Sequence, residues 1–133
     1  NKELERISSL NEKVEFHISP PNIYKLLKMC DLSIGAGGIM NYERAYFGIP
    51  SIIFGITNNQ VESVENLIKN GYAFGYHRMF SPNLYKIRNH INLMISQPSI
   101  LNNSSLKLKS LVDGKGLNRL FSYIAIKSTK GFS

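Results

Sequence analysis

The feature that most constrains the fold of this chain is an alternation of two apolar patterns along residues 14–126. Short alternating or β-branched runs predict strands, whereas apolar residues three and four positions apart predict helices. The predicted strands cover residues 14–18, 31–35, 51–54 and 72–76, and the predicted helices cover residues 23–30, 39–47, 59–70, 82–97, 100–111 and 117–126. Strand and helix therefore alternate four times before a final run of helices.

This alternation is typical of parallel strands, because each strand must return to the same edge of the sheet through a right-handed helical crossover. We predict an α/β fold in which a Rossmann-like parallel sheet is flanked by helices, as in half of a doubly wound architecture. Ligands of such sheets bind beyond the carboxyl ends of the strands. We therefore expect a ligand-binding site in the loops after Ile34 and Phe54.

Size and composition favour one domain over residues 1–133, since a chain of 133 residues that is 43% hydrophobic can bury a single core. Its one cysteine, Cys30, ends an apolar helical run and is predicted to be a small buried residue in a reducing cytoplasm. We find no transmembrane segment and no signal peptide. Because the chain begins at Asn1 without an initiator Met, we expect it to be half of a longer protein.

Charge is distributed unevenly along the chain. Residues 1–66 hold six basic and eight acidic residues, whereas residues 67–133 hold ten basic residues and only one acid, Asp113. A cationic half is compatible with nucleic acid, an anionic membrane surface or a phosphorylated small ligand, and equally with a solvated basic surface. An RNA-binding function is disfavoured because no aromatic-rich motif or arginine-rich run is present.

A glycine-rich turn, Gly35-Ala-Gly-Gly38, connects a predicted strand to a predicted helix. This arrangement presents backbone N–H groups and the positive end of a helix to an anion such as a phosphate. It is not a dinucleotide fingerprint, because Met40 stands where the third glycine would fall, and it lacks the Lys-Ser or Lys-Thr pair of a P-loop. The alternative is that the glycines only allow a tight strand-to-helix turn.

Glu43 lies about one helical turn beyond the start of the predicted helix, close to where a ribose would lie if a diphosphate were bound at the turn. An ionised carboxylate accepts hydrogen bonds from a cis-diol. The alternative is a solvent-facing charge paired with Arg44.

Several segments together resemble a known family: residues 31–38, 42–44, 48–50, 59–60, 70–71 and 112–116. They are similar to the carboxyl-terminal domain of the UDP-sugar hydrolase of pseudaminic acid biosynthesis, a relative of the glycosyltransferase that makes lipid II. The resemblance spans residues 14–75, and its members have two Rossmann-like domains with a cleft between them, the GT-B fold. It implies that this chain is the UDP-sugar-binding half and that an amino-terminal domain of the same protein is its partner.

The resemblance also implies site residues. Backbone amides of Gly37, Gly38 and Ile39, with that of Met40, would bind the diphosphate of UDP, and Glu43 would bind the ribose. Asn59 and Gln60 would contact the sugar, and we include Asn41 with them. The family usually has small hydroxyl residues where this chain has Ile39, Met40 and Asn41, and often has Trp where it has Tyr42.

The reaction implied by the resemblance is attack of water on a UDP-linked diacetamido-trideoxy sugar, which releases UDP. No metal or other cofactor is implied, because backbone donors and a helix end supply the positive field. In that hydrolase the general base is a histidine of the amino-terminal domain, so we expect no catalytic residue in this chain. Alternatives are the donor-binding domain of a UDP-sugar glycosyltransferase and a non-catalytic UDP-sugar-binding module.

Three further residue groups have less specific interpretations. His77 follows the fourth predicted strand and is the one histidine placed to border a cleft. The Asn58-Asn-Gln60 run is compatible with a helix cap as well as a sugar contact. Residues 113–116 form a turn by composition, with Lys115 as a candidate nucleotide contact.

Overall fold

The computed structural model describes residues 2–76 and 83–129, and it is an α/β structure. Its elements in chain order are α1 (Lys2–Leu10), α2 (Ile23–Leu27), β1 (Ser33–Ala36), α3 (Met40–Phe47), β2 (Ser51–Phe54), α4 (Asn58–Lys69), β3 (Phe74–Tyr76), α5 (Leu84–Ser96), α6 (Pro98–Leu111) and α7 (Gly116–Thr129). Most bounds agree with the sequence prediction to within two or three residues. The Rossmann-like alternation of strand and helix is confirmed.

The described strands form one parallel sheet in the order β1-β2-β3. Ile52 of β2 pairs with Ile34 on one side and with Phe74 on the other. All four residues of β2 are buried, which explains why Ile52, Ile53 and Phe54 form an apolar run without alternation; the Ser51 hydroxyl donates to the Ile49 carbonyl at 2.9 Å. The carboxyl ends of β1 and β2 therefore lie side by side, which brings the two loops predicted to carry the site to one edge.

The core lies on both faces of the sheet. On one face Ile52 and Phe54 pack with Met94 of α5, and on the other Ile53 packs with Val64 of α4 and Ala73. Adjacent residues of β2 thus point to opposite layers, as the strand geometry requires. Helix α3 packs against α6, and Gly48 ends α3 with a left-handed φ of 68°.

The predicted strand at residues 14–18 is wrong: this segment is irregular. Its backbone groups are used locally, since the Val14 N–H donates to the Asn11 carbonyl at 2.9 Å and the Val14 carbonyl accepts from the Ser8 hydroxyl at 2.7 Å. Val14 and Ile18 are exposed, so the alternating pattern has no apolar layer to face. Local turn bonds have replaced strand pairing here.

Cys30 is also placed differently from the prediction, because it is exposed rather than buried. Helix α2 ends at Leu27, three residues before Cys30, so the helical periodicity that predicted a buried position does not extend to Cys30. Among the described residues, no helix is both long and apolar enough to cross a membrane. His77 lies outside the described residues.

Candidate functional site

The glycine turn and helix α3 form the centre of the candidate site. The amide of Gly37 donates to the Phe54 carbonyl at 2.7 Å, which ties the turn to the end of β2. Because an amide has one proton to donate, Gly37 is not available for a phosphate, and we remove it from the predicted contacts. The amides of Gly38, Ile39 and Met40 make no hydrogen bond to another residue in the described part of the chain. These are the unsatisfied donors expected at the first turn of a helix.

The need for glycine differs among the positions of the turn. At Gly35 an added Cβ would come within 2.6 Å of the Arg44 guanidinium, and at Gly37 it would overlap the Val64 side chain. At Gly38 the nearest atom would be Gln60 Nε2 at 3.6 Å, an ordinary contact. Packing therefore explains Gly35 and Gly37, as the tight-turn alternative requires, but it does not explain Gly38.

Arg44 occupies the inner side of α3. It is buried, and its Nη1 donates to the Ala36 carbonyl at 3.3 Å and to Asn41 Oδ1 at 3.2 Å. Burial lowers the pKa of the Arg44 guanidinium, and the negative charge of neighbouring Glu43 opposes that shift. The hydrogen bonds of Arg44 thus run inward to the turn rather than to the Glu43 carboxylate.

Asn41 lies in the interior with Arg44. It is 8% exposed, its amide oxygen is engaged by Arg44, and it borders a small internal space beside Tyr72 and Leu108. The prediction that Asn41 contacts a sugar does not fit this position, because its side chain is part of the packing between α3 and α6. Sequence reasoning missed this because Asn41 is polar and adjacent to the turn.

Glu43 lies on the outer side of α3. Its Oε1 accepts a hydrogen bond from the Tyr24 hydroxyl at 3.3 Å. Its Oε2 is shielded from solvent and has no hydrogen-bond partner within the described residues. The alternative in which Glu43 is a solvated charge paired with Arg44 therefore does not describe this geometry.

A groove of about 450 Å³ opens beside Glu43. It is lined mainly by aromatic side chains and by the loop after α6, namely Tyr24, Tyr42, Glu43, Tyr46, Phe47, Val112 and Gly114. Tyr46 and Phe47 meet edge to face with ring centroids 5.3 Å apart. This groove is not among the sequence predictions, although the aromatic residues of α3 at positions 42, 46 and 47 are a signal for it.

The start of α4 provides the two other predicted sugar contacts. Asn59 is exposed, and its Oδ1 accepts from the Thr57 hydroxyl. Gln60 reaches back with Oε1 to accept from the amide of Ile56, the residue before the N-cap Thr57, at 3.1 Å. The Gln60 oxygen thus ties α4 to the preceding loop rather than capping a helical amide, and Gln60 Nε2 would lie 3.6 Å from a Cβ added at Gly38.

The loop between α6 and α7 closes one end of the groove. Gly114 adopts a φ of 70°, and an added Cβ there would meet Tyr46 at 2.7 Å. Asp113 holds the loop by accepting from the Lys115 amide at 3.0 Å and from Arg119 Nη1 at 2.6 Å. Lys115 is exposed in this loop. Within the described ranges, no cluster of three or more His, Cys, Asp or Glu side chains could hold a metal ion.

Comparison with known proteins gives one family match. The model of the family described as "Protein of unknown function (DUF354)" matches residues 4–106, which include the sheet, the glycine turn and Glu43. No curated protein and no solved structure matches the chain. Since the match covers well over half of the sequence, the chain belongs to the DUF354 family.

Proposed function

We propose that this chain is the nucleotide-binding half of a UDP-sugar hydrolase. The observation that carries the proposal is the Glu43 carboxylate, whose Oε2 is shielded from solvent beside an aromatic groove and has no partner among the described residues. Buried polar atoms are nearly always hydrogen-bonded, so such an atom in a groove calls for a ligand donor. A ribose hydroxyl is such a donor.

The groove beside Glu43 suits a nucleoside. Its volume of about 450 Å³ falls within the roughly 300–1,000 Å³ typical of small-molecule sites. A planar base would be bound by the rings of Tyr24, Tyr46 and Phe47, since aromatic rings stack favourably on flat π-systems. The single carboxylate among these apolar walls would then fix the orientation of the attached sugar.

The diphosphate would bind at the start of α3. The amides of Gly38, Ile39 and Met40 have no partner among the described residues, and the positive end of the helix favours an anion. Gly38 has no side chain, and the nearest atom to the position of a Cβ there is Gln60 Nε2 at 3.6 Å, so a phosphate oxygen would have room to approach the backbone. Gln60 Nε2 faces the same opening and would contact the next group along the ligand, the sugar.

The chemistry assigned to this half is stabilisation of the leaving group. When the bond between the sugar and UDP breaks, negative charge develops on the diphosphate, and preformed amide donors stabilise that charge without reorganising. The water-activating base would come from the partner domain, so the present chain would bind UDP-sugar without hydrolysing it. The complete enzyme would release free sugar without an acceptor alcohol, which distinguishes a hydrolase from a glycosyltransferase.

Titration with UDP, followed by backbone amide NMR, tests the proposal. We expect UDP to shift the amide resonances of Gly38, Ile39 and Met40. Glu43→Ala should weaken binding about tenfold, the value of one hydrogen bond to a charged group. Glu62→Ala, which removes an exposed carboxylate on α4, is the matched control and should bind like the wild type. The proposal is wrong if millimolar UDP moves none of these amides.

A further inference from the structure

One contact links helix α2 to the candidate site. The Tyr24 hydroxyl donates to Glu43 Oε1 at 3.3 Å, across 19 positions of sequence. Tyr24 also lines the same aromatic groove as Glu43. The contact therefore joins a wall of the groove to the one charged side chain that lines it among the described residues.

Tyr24 is held in place by contacts that do not involve Glu43. Its ring packs on Phe47 with centroids 6.1 Å apart. Helix α2 is capped by Asn22, whose Oδ1 accepts from the Lys25 amide at 3.2 Å, and it is anchored by buried Leu27. The Tyr24 hydroxyl is thus presented from a helix that is capped and from a ring that packs on Phe47, independently of Glu43.

The two oxygens of Glu43 consequently have different roles. Oε1 is engaged by Tyr24, while Oε2 has no partner within the described residues. A carboxylate with one oxygen fixed by a neighbour loses less rotational freedom when a ligand binds to the other oxygen, which increases affinity by preorganisation. The ligand group that completes this arrangement must be a hydrogen-bond donor, since an ionised carboxylate only accepts.

We infer that Tyr24 is a positioning residue that orients the Glu43 carboxylate for a ribose hydroxyl and so makes the site selective for ribonucleotides. This inference rests on the proposed function and adds to it a source of sugar discrimination. Tyr24 acts through Glu43, and its ring separately contributes to the groove. Removing only the Tyr24 hydroxyl should therefore reduce discrimination between ribose and deoxyribose while the ring still lines the groove.

The test compares wild type and Tyr24→Phe by calorimetric titration with UDP, 2′-deoxy-UDP and 3′-deoxy-UDP. In the wild type, the analogue that lacks the bonded hydroxyl should bind about tenfold more weakly than UDP. In Tyr24→Phe, we expect UDP to bind about threefold to tenfold more weakly and that ratio to fall to about threefold or less. Tyr85→Phe, which removes an exposed tyrosine hydroxyl on α5, should retain the wild-type ratio.

The remaining outcomes lead to different conclusions. If the wild type does not bind UDP, the proposed function and this inference both fail. If it binds UDP but does not discriminate against either analogue, UDP binding stands and the positioning role is wrong. If Tyr24→Phe keeps the wild-type ratio, or weakens all three ligands equally, the hydroxyl does not orient the carboxylate and only the inference is overturned.

Discussion

The inner and outer sides of helix α3 differ in how well packing accounts for their residues. On the inner side Asn41, Arg44 and Ala45 are buried, and the Arg44 guanidinium donates both to Asn41 Oδ1 and to the Ala36 carbonyl at the end of β1. On the outer side Tyr42 and Tyr46 are exposed, and Glu43 keeps a shielded oxygen without a partner in the described structure. The inner residues pack within the fold, although Arg44 Nε also lacks a partner in the described structure, whereas the outer residues line the aromatic groove.

The same contrast separates two adjacent glycines. Gly37 packs against Val64 and donates its amide to Phe54, so both its missing side chain and its backbone have structural roles. Gly38 has room for a Cβ, with Gln60 Nε2 as its nearest neighbour at 3.6 Å, and an amide without a partner in the described residues. Neighbouring residues of one motif can therefore be required for different reasons, and substitution of each can separate stability from binding.

Gly37→Ala should give the largest effect. Its new methyl group would overlap the Val64 side chain and crowd the Phe54 carbonyl, and such overpacking costs about 1–3 kcal/mol in the free energy of unfolding. Urea denaturation measures this loss. Gly116→Ala is the control, since no atom lies within 4 Å of its added Cβ, and it should be nearly neutral. Wild-type stability of Gly37→Ala would show that the inner side tolerates more change than its packing indicates.

Gly38→Ala should have the opposite profile. Its added Cβ would make only an ordinary contact with Gln60, so we expect the free energy of unfolding to change by less than about 0.5 kcal/mol. UDP should nevertheless bind about tenfold more weakly, because the methyl group hinders the approach of a phosphate to the amides. Paired denaturation and calorimetric measurements check both values. Unchanged UDP affinity would contradict the role assigned to this glycine.

Much of the fold could be predicted from the sequence, because local signals and burial agree there. The apolar run Ile52–Phe54 of β2 lies buried between two strands, and α3 ends at Gly48, a residue suited to the left-handed φ found there. The strand predicted at residues 14–18 failed because alternation alone does not supply a partner, and the backbone of Val14 formed turn bonds instead. Periodicity indicates which face is apolar but not what covers it.

The site was less accessible to sequence reasoning. The glycine turn and Glu43 were identified as candidates from spacing, but only the three-dimensional structure brings Tyr24 and the loop at residues 112–114 to the same groove. The amide of Gly37 was predicted to be free because the sequence does not state which carbonyl a turn amide meets. The inward position of Asn41 likewise depends on its hydrogen bond with Arg44, and the sequence does not indicate to which side of the helix Arg44 points.

The smallest expected effect concerns the loop after α6, which lines the groove together with the outer residues of α3. Hydrogen bonds from Arg119 and from the Lys115 amide lower the pKa of Asp113 to about 2, well below its usual value. Because the folded-state pKa is lowered, this contribution to stability is complete above the usual Asp value of about 4 and is lost as the pH falls towards 2. Asp113→Asn should therefore be less stable than wild type above pH 5, with a difference that shrinks on acidification.

Denaturation midpoints of wild type and Asp113→Asn between pH 6 and about 2 would follow this change. Asp31→Asn, a substitution of another exposed aspartate outside the groove, should not reproduce the pH-dependent difference. Since Asp113 and Arg119 are both exposed, added salt should reduce the effect. A difference that is independent of pH would mean that Asp113 holds the loop without its charge. The conformation of the loop after α6 would then be determined by the backbone turn at Gly114 rather than by the ion pair.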